Sequence, residues 1–472
     1  MQDLISKTAL EVVSALRDGA VSPLECLAAL EARIEEVNGP VNALVTLCFD
    51  RAQTRARAMM ARPVAERGLL AGLPLPVKDL TDVAGVRSTQ GSRIFAHRIA
   101  ETSDILVEHL EAAGGLVYAM SNTPEFGAGG HTFNDVFGVT RNPWNMALSA
   151  AGSSGGAAAA LATGMAWLAH GSDMGGSLRN PASFCGVVGL RPSPGRVAAS
   201  VFSKIDGTLG VEGPMARNVA DLGLLLEAMS GAEAGDPLSL PREGVSFAEA
   251  AAHPRKPKRI AVSRTLGITP VDPEVAGLVM QAAGKFAAAG VIVEEAHPDL
   301  TEAMHCFQTL RALSFATGMR GLLRDHRDLL KPEVVWNIEK GLKLSGEEIA
   351  IAEVERGALF RRMAEFFQTY DALLCPATIV PPFPVEERYV VRCAGVEFET
   401  YVDWLLVVAV ATLCACPAMS LPCGFTATGL PVGLQVIAPN RSEALLLAHA
   451  KWMEGVLGLG AFTPIDPRPA RP

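Results

Sequence analysis

AGSSGGAAAALATGMAWLAHGSDMGGSLR, residues 151–179, is the stretch on which the reading of this chain turns. Two Gly/Ser clusters, GSSGG at 152–156 and GGS at 175–177, bracket a run of small residues and a short apolar segment. Each cluster sets serines among glycines, where backbone N–H groups can approach a ligand closely. A helix entered from the first cluster is expected over 155–163, a buried strand over 166–171, and a second short helix starting at Ser177. Strand, Gly/Ser turn and helix in this order are parts of an α/β protein.

Outward from that stretch, the alternation continues. Thr8 with Glu11 and Ser22 with Glu25 read as capping boxes opening two amphipathic helices, the second ending near Asn38 and Gly39. A third helix is expected at about 46–61. GLPLPVKDL (72–80) reads as a short apolar strand ending at Lys78. A helix at 103–113, a strand at 116–120 and a long irregular loop at 121–145 precede the central stretch; such loops in compact enzymes commonly bind or act. Beyond it, strands at 186–190, 259–263, 291–296 and 371–376 alternate with helices at 220–229 and 273–289. Residues 231–258 form a polar connector, and residues 300–370 are mainly helical. The uncharged stretch 404–440 is broken by Pro417, Pro422, Gly424, Gly429 and Pro431, so it reads as a buried helix near 403–413 and buried strands near 418–423 and 432–438 rather than as a membrane span. The sheet is expected to be mixed or mainly parallel.

Composition narrows the function. The chain has 472 residues, 49% hydrophobic and 19% charged, with a net charge of −9. Its one basic run, PRKPKR at 254–259, is short, which argues against nucleic acid and anionic membranes as partners. The nine cysteines have no repeated spacing, and Cys414 with Cys416 lacks the second pair or histidines that would complete a metal site. Reduced, buried thiols in a cytoplasmic protein are expected. The N-terminal segment carries acids early and no long apolar run, unlike a signal peptide.

Several residues could carry chemistry. Ser177 fits a nucleophile whose oxyanion would be met by nearby N–H groups, and it fits equally a serine capping a Gly-rich turn. G-x-S-x-G around Ser154 matches a nucleophile elbow. A Ser-His-Asp triad on that elbow needs a later histidine, however, and His449 falls in a regular helix while His97, His109 and His131 precede the serine. Lys78 lies among Leu73, Pro74, Leu75, Pro76 and Val77, where desolvation favours the neutral, basic amine.

Taken together, GLPLPVKDL, GSSGG and GSDMGGSLRNPASFCGVVGLRPSPGRV (171–197), with FGVTRNPWN (137–145) and GLPVGLQVIAP (429–439), resemble the amidase signature family. The resemblance covers about 60–230 and 370–460. It implies one α/β domain over 1–472, with a helical segment 1–61, a signature core 62–230, a substrate-shaping region 259–400 and C-terminal core elements 401–472, built on a large mixed, twisted sheet with helices on both sides. It also implies a Ser–Ser–Lys triad in which Ser177 is the nucleophile, Ser153 the bridging serine after a cis Gly152–Ser153 bond, and Lys78 the base. Backbone N–H groups of Met174, Gly175, Gly176 and Ser177 would form the oxyanion hole, with Asp173 and Arg179 in support. Ala151 and Met174 depart from the residues usual in the family; neither removes a catalytic atom.

The implied activity is hydrolysis of a linear amide without metal or organic cofactor, with a small-molecule amide as substrate and a homodimer as assembly. The acyl pocket is expected from 120–133, 201–206 and 300–405, with Phe126, Phe133, Phe202 and Trp404 as apolar lining. The alternative is the glutaminase component of a tRNA-dependent amidotransferase, for which Asp403 is the nearest carboxylate to hold the glutamine amine. Ureido substrates are a further option.

Overall fold

Both N-terminal capping boxes form. Thr8 and Glu11 open the helix Ala9–Arg17, and Ser22 and Glu25 open Pro23–Val41, which has Pro23 in its first turn and runs past Gly39. The computed structural model describes residues 2–200, 205, 207–242, 244, 246–460 and 462–470. The third helix begins later than expected, at Phe49–Met60, because Leu44–Leu47 is drawn out as a strand beside Leu116–Ser121. The strand Leu116–Ser121 also pairs, in parallel, with Pro74–Lys78, giving a three-stranded sheet in which Lys78 ends an edge strand.

An eight-stranded sheet forms the body. Its order is Ile292–Glu295, Arg259–Val262, Ala372–Pro376, Pro431–Ile437, Ala418–Phe425, Val188–Arg191, Val211–Ala216 and Leu168–Asp173. Only the first two pairings are parallel, and the others are antiparallel. The sheet is therefore mixed, and the mainly parallel option is excluded. Alternating helices suggested parallel crossovers, yet the uncharged C-terminal segment forms a hairpin, 418–425 with 431–437, in the middle of the sheet.

Helices cover both faces. On one, Arg179–Cys185 packs so closely that Ser183 Oγ accepts the Gly433 N–H at 2.8 Å. On the other, Pro273–Ala288 sets Leu278 against Gly424. One apolar cluster runs through these layers from Ile5 to Leu457. The uncharged helix Leu406–Leu413 lies wholly inside it, and among the described residues no helix is long and apolar enough to cross a membrane. All nine cysteines are free and all but Cys48 are buried; burial pushes Cys375 up to about 12, which keeps it an unreactive thiol.

Candidate active site

Lys78 ends the strand Pro74–Lys78, which is buried at every position, and is itself fully buried. Its Nζ lies 2.7 Å from Ser153 Oγ, 3.0 Å from Ser154 Oγ and 2.9 Å from Ser172 Oγ. Desolvation pushes the amine down to about 7, with Glu212 and Asp173 opposing the shift. A neutral amine has two N–H donors and one lone pair. Ser154 receives the Ser172 N–H and sends its own proton toward the Ser172 carbonyl, so it meets Lys78 as an acceptor. With Ser154 and Ser172 taking the two N–H groups, the lone pair is left for the Ser153 hydroxyl, at the shortest of the three distances.

The first cluster is shaped by close packing. The Gly152–Ser153 bond is cis. A Cβ on Gly156 would lie 2.3 Å from Asn122 N, and one on Gly171 would lie 2.7 Å from Ser154 Oγ. Ser154 stands at the N-cap of Gly155–Ala162 but makes no capping bond, since its hydroxyl serves Lys78.

The strand Leu168–Asp173 runs straight into the second cluster. Asp173 is buried, which by itself would raise its pKa. The flanking Arg179 and Arg191 and the Leu178 N–H overcome this and hold the carboxyl well below the usual carboxylate range. Its oxygens accept from Arg179 Nε at 3.0 Å and Nη2 at 2.8 Å, and from the N–H groups of Gly176 (3.0 Å) and Leu178 (3.1 Å). Gly176 is thus withdrawn from the expected set of oxyanion donors, because a buried carboxylate needs its N–H. Met174, Gly175 and Ser177 keep N–H groups with no protein acceptor among the described residues. The Met174 carbonyl accepts from Thr412 Oγ at 2.6 Å, and since a planar peptide sets C=O and N–H in opposite directions, the Gly175 N–H points away from Thr412.

Ser177 lies two residues before the helix Arg179–Cys185 and caps nothing; Leu178 holds the N-cap position. Its hydroxyl makes no hydrogen bond among the described residues and faces a cavity of about 180 Å³ shared with Ser153, Ser172, Met174 and Gly175. Phe126 lines this cavity. Phe133 sits outside its lining, between Lys331 and Arg388. Trp404 is buried behind the wall, against Gly130 and Phe383. Phe202 lies outside the described residues. Asp403 does not line the cavity, and its oxygens accept from Thr400 and Gln308. His449 bonds the Arg255 carbonyl from within Glu443–Leu457, and His131 bonds Ser149 and the Val385 carbonyl; neither serves Ser154.

Ser172, His170, Glu212 and Arg311 were not singled out from sequence. His170 Nδ1 accepts the Lys78 backbone N–H at 3.2 Å, so its proton sits on Nε2 and is donated to Glu212 at 2.7 Å. Ser172 follows from chemistry once Lys78 is read as neutral, since a buried amine needs acceptors. Arg311 is a lone charge in an otherwise uncharged stretch of helix, CFQTLRALSFA (306–316). Among the described residues no His/Cys/Asp/Glu group is arranged to hold a metal ion.

Known proteins share this arrangement's scaffold. The family model described as Amidase matches residues 25–447. An acylamidase of Rhodococcus erythropolis is 36% identical over 474 residues, covering 98% of each chain. A component of the glutamyl-tRNA(Gln) amidotransferase of Moorella thermoacetica is 34% identical, with 95% of this chain and 96% of that one covered. Among solved structures, a bacterial aryl acylamidase of the amidase signature family matches with a TM-score of 0.89 at 27% identity, covering 98% of this chain and all (100%) of that one.

Proposed function

The chain belongs to the amidase family and is an amide-hydrolysing enzyme; from that premise we propose that it cleaves a linear carboxylic amide through an acyl-enzyme on Ser177. The observation that carries this reading is the contact of Lys78 Nζ with Ser153 Oγ at 2.7 Å, made by a fully buried amine.

In this mechanism neutral Lys78 takes the Ser153 proton while Ser153 takes that of Ser177. Ser177 Oγ then bonds to the amide carbon, and the oxyanion is met by the N–H groups of Met174, Gly175 and Ser177, each such donor being worth about 10²–10³ in rate. The proton returns through Ser153 to the departing nitrogen as the C–N bond breaks. Water repeats the relay on the ester, releasing the acid and restoring Ser177. Asp173 and Arg179 keep the loop in place.

Phe126, with Phe315 and Leu405 in the same lining, favours a compact acyl group. The glutaminase reading has less support, because Asp403 is engaged by Thr400 and Gln308 and stands outside the cavity lining. The test is labelling with a fluorophosphonate together with turnover of a panel of simple amides and of glutamine by the isolated protein. Labelling at Ser177 with loss of both label and turnover in Ser177→Ala supports the proposal. Turnover of amides by Ser177→Ala at the wild-type rate overturns it, and glutamine hydrolysis that requires added partner chains would move the assignment to an amidotransferase component.

A further inference from the structure

Arg311 projects from the helix Ala303–His326 into the cavity that holds Ser177, and it is 5% exposed. Three other buried arginines lie against a carboxylate, Arg179 and Arg191 against Asp173 and Arg196 against Glu443 at 3.1 Å, while Arg217 is held by the Ile5 and Lys7 carbonyls. Arg311 has no carboxylate at ion-pair distance among the described residues. Its Nη1 donates to Asn337 Oδ1, and its guanidinium stands over the rings of Phe315 at 4.4 Å and Tyr401 at 5.3 Å. Asn337 is itself fixed, donating Nδ2 to the Glu333 carbonyl at 2.7 Å and to the Tyr401 hydroxyl. The guanidinium is therefore held in one place by neutral groups, with further N–H donors and a full charge left uncompensated. Burying a cation this way is unfavourable unless something of opposite charge completes the site.

The cavity's own acids do not fill that role. Asp173 is consumed by two arginines, and Glu212 accepts from His170. Both belong to the strand side of the cavity, on Leu168–Asp173 and Val211–Ala216, whereas Arg311 enters from the helical layer. A planar guanidinium fork matches a carboxylate in two parallel hydrogen bonds.

We propose that Arg311 anchors a carboxylate carried by the substrate, so that the preferred amides are short, anionic ones whose carboxylate lies across the cavity from the bond cleaved at Ser177. The proposal rests on the Ser177 amidase reading. The volume of about 180 Å³ sets the scale: it is below the ~300–1,000 Å³ of sites for drug-sized ligands, and fits a compact half-amide better than a long chain.

The test compares matched pairs. Glutaramate is set against pentanamide for a carboxylate on the acyl side, and N-butyryl-β-alanine against N-propylbutanamide for one on the amine side. Wild type is expected to favour the anionic member of one pair by at least about 10-fold in kcat/KM, chiefly through KM. In Arg311→Met that ratio falls to about unity, and Arg311→Lys, which keeps the charge without the fork, retains part of it. Equal treatment of both members of both pairs by wild type, or an equal loss on both members in Arg311→Met, overturns the proposal. A thermal melt of each variant, with Arg311→Gln as the less disruptive replacement, separates misfolding from lost recognition. Absence of turnover on every amide together with absence of fluorophosphonate labelling would instead overturn the amidase reading beneath it.

Discussion

The backbone N–H of Ser154 donates to the carbonyl of Ser177 at 3.1 Å, tying the two Gly/Ser clusters directly together. The loop that carries the proposed nucleophile and the loop that carries the proposed relay are thereby one unit, and Ser154 contributes twice, since its hydroxyl also accepts from Lys78 at 3.0 Å. Displacing Ser154 should therefore disturb relay and nucleophile at once.

Gly171→Ala tests this coupling. The added methyl would lie 2.7 Å from Ser154 Oγ and 2.8 Å from Leu178 Cδ2, on either side of the active loops. A misplacement of about 1 Å can lower turnover by about 10²-fold. The expected outcome is a fall in kcat of that order with a smaller change in KM, read by steady-state kinetics on a simple amide; an unchanged kcat would show that Ser154 can yield without effect.

The base should report itself in the pH profile. Burial pushes Lys78 down to about 7, so the amine is neutral above that pH and protonated below it. Because the base must be neutral, kcat/KM should rise with unit slope on the acid side, bend near pH 7 and stay level above it. Ser172→Ala removes one acceptor from the protonated amine, disfavouring the charged form, and should shift the bend to lower pH while lowering kcat about 10-fold through loss of orientation. A profile flat from pH 5 to 9 would contradict the role given to Lys78.

Asp173→Asn leaves Arg179 and Arg191 buried without their shared carboxylate. Breaking a buried pair by removing one partner costs about 3–5 kcal/mol, and denaturant unfolding should show a loss of that order. The native carboxyl lies below its unfolded value, so its contribution is complete above the unfolded pKa of about 4 and disappears as pH falls through the native one. The gap between wild type and variant should accordingly be constant at neutral pH and narrow in acid.

Gly156→Ala probes packing alone. Its Cβ would meet Asn122 N at 2.3 Å and Ala43 O at 2.5 Å, and backbone atoms cannot step aside as side chains do. Overpacking of this kind costs about 1–3 kcal/mol or more, and a lowered thermal midpoint is the expected reading.

Much of this was legible in the sequence for identifiable reasons. The capping boxes at Thr8 and Ser22 work through bonds three residues apart, so local pattern suffices. Pro and Gly within 417–431 exclude a membrane helix for the same reason. Lys78, Ser153 and Ser177 are singled out through the resemblance to the amidase signature family, because on local pattern alone Ser177 fits the cap of a Gly-rich turn equally well. Features made by distant contacts were less accessible. Nothing near Leu44 announces that it pairs with Ser121, and nothing in 418–437 announces a hairpin at the centre of a sheet. Trp404 looks like pocket lining by composition, yet it fills the space left by the missing side chain of Gly130. The engagement of the Gly176 N–H by Asp173 likewise depends on how one short loop closes.

Arg179, two residues after Ser177, reaches forward with Nη1 to the Val408 carbonyl at 2.7 Å and to Gln435, and the Met174 carbonyl accepts from Thr412. The loop around Ser177 is thus completed by segments that lie 229 to 256 residues further along the chain. A nascent chain can have made every residue of the Lys78, Ser153 and Ser177 set and still lack the clamp that holds them in working order. A chain interrupted before the central hairpin is therefore expected to carry the motif without the contacts that hold it.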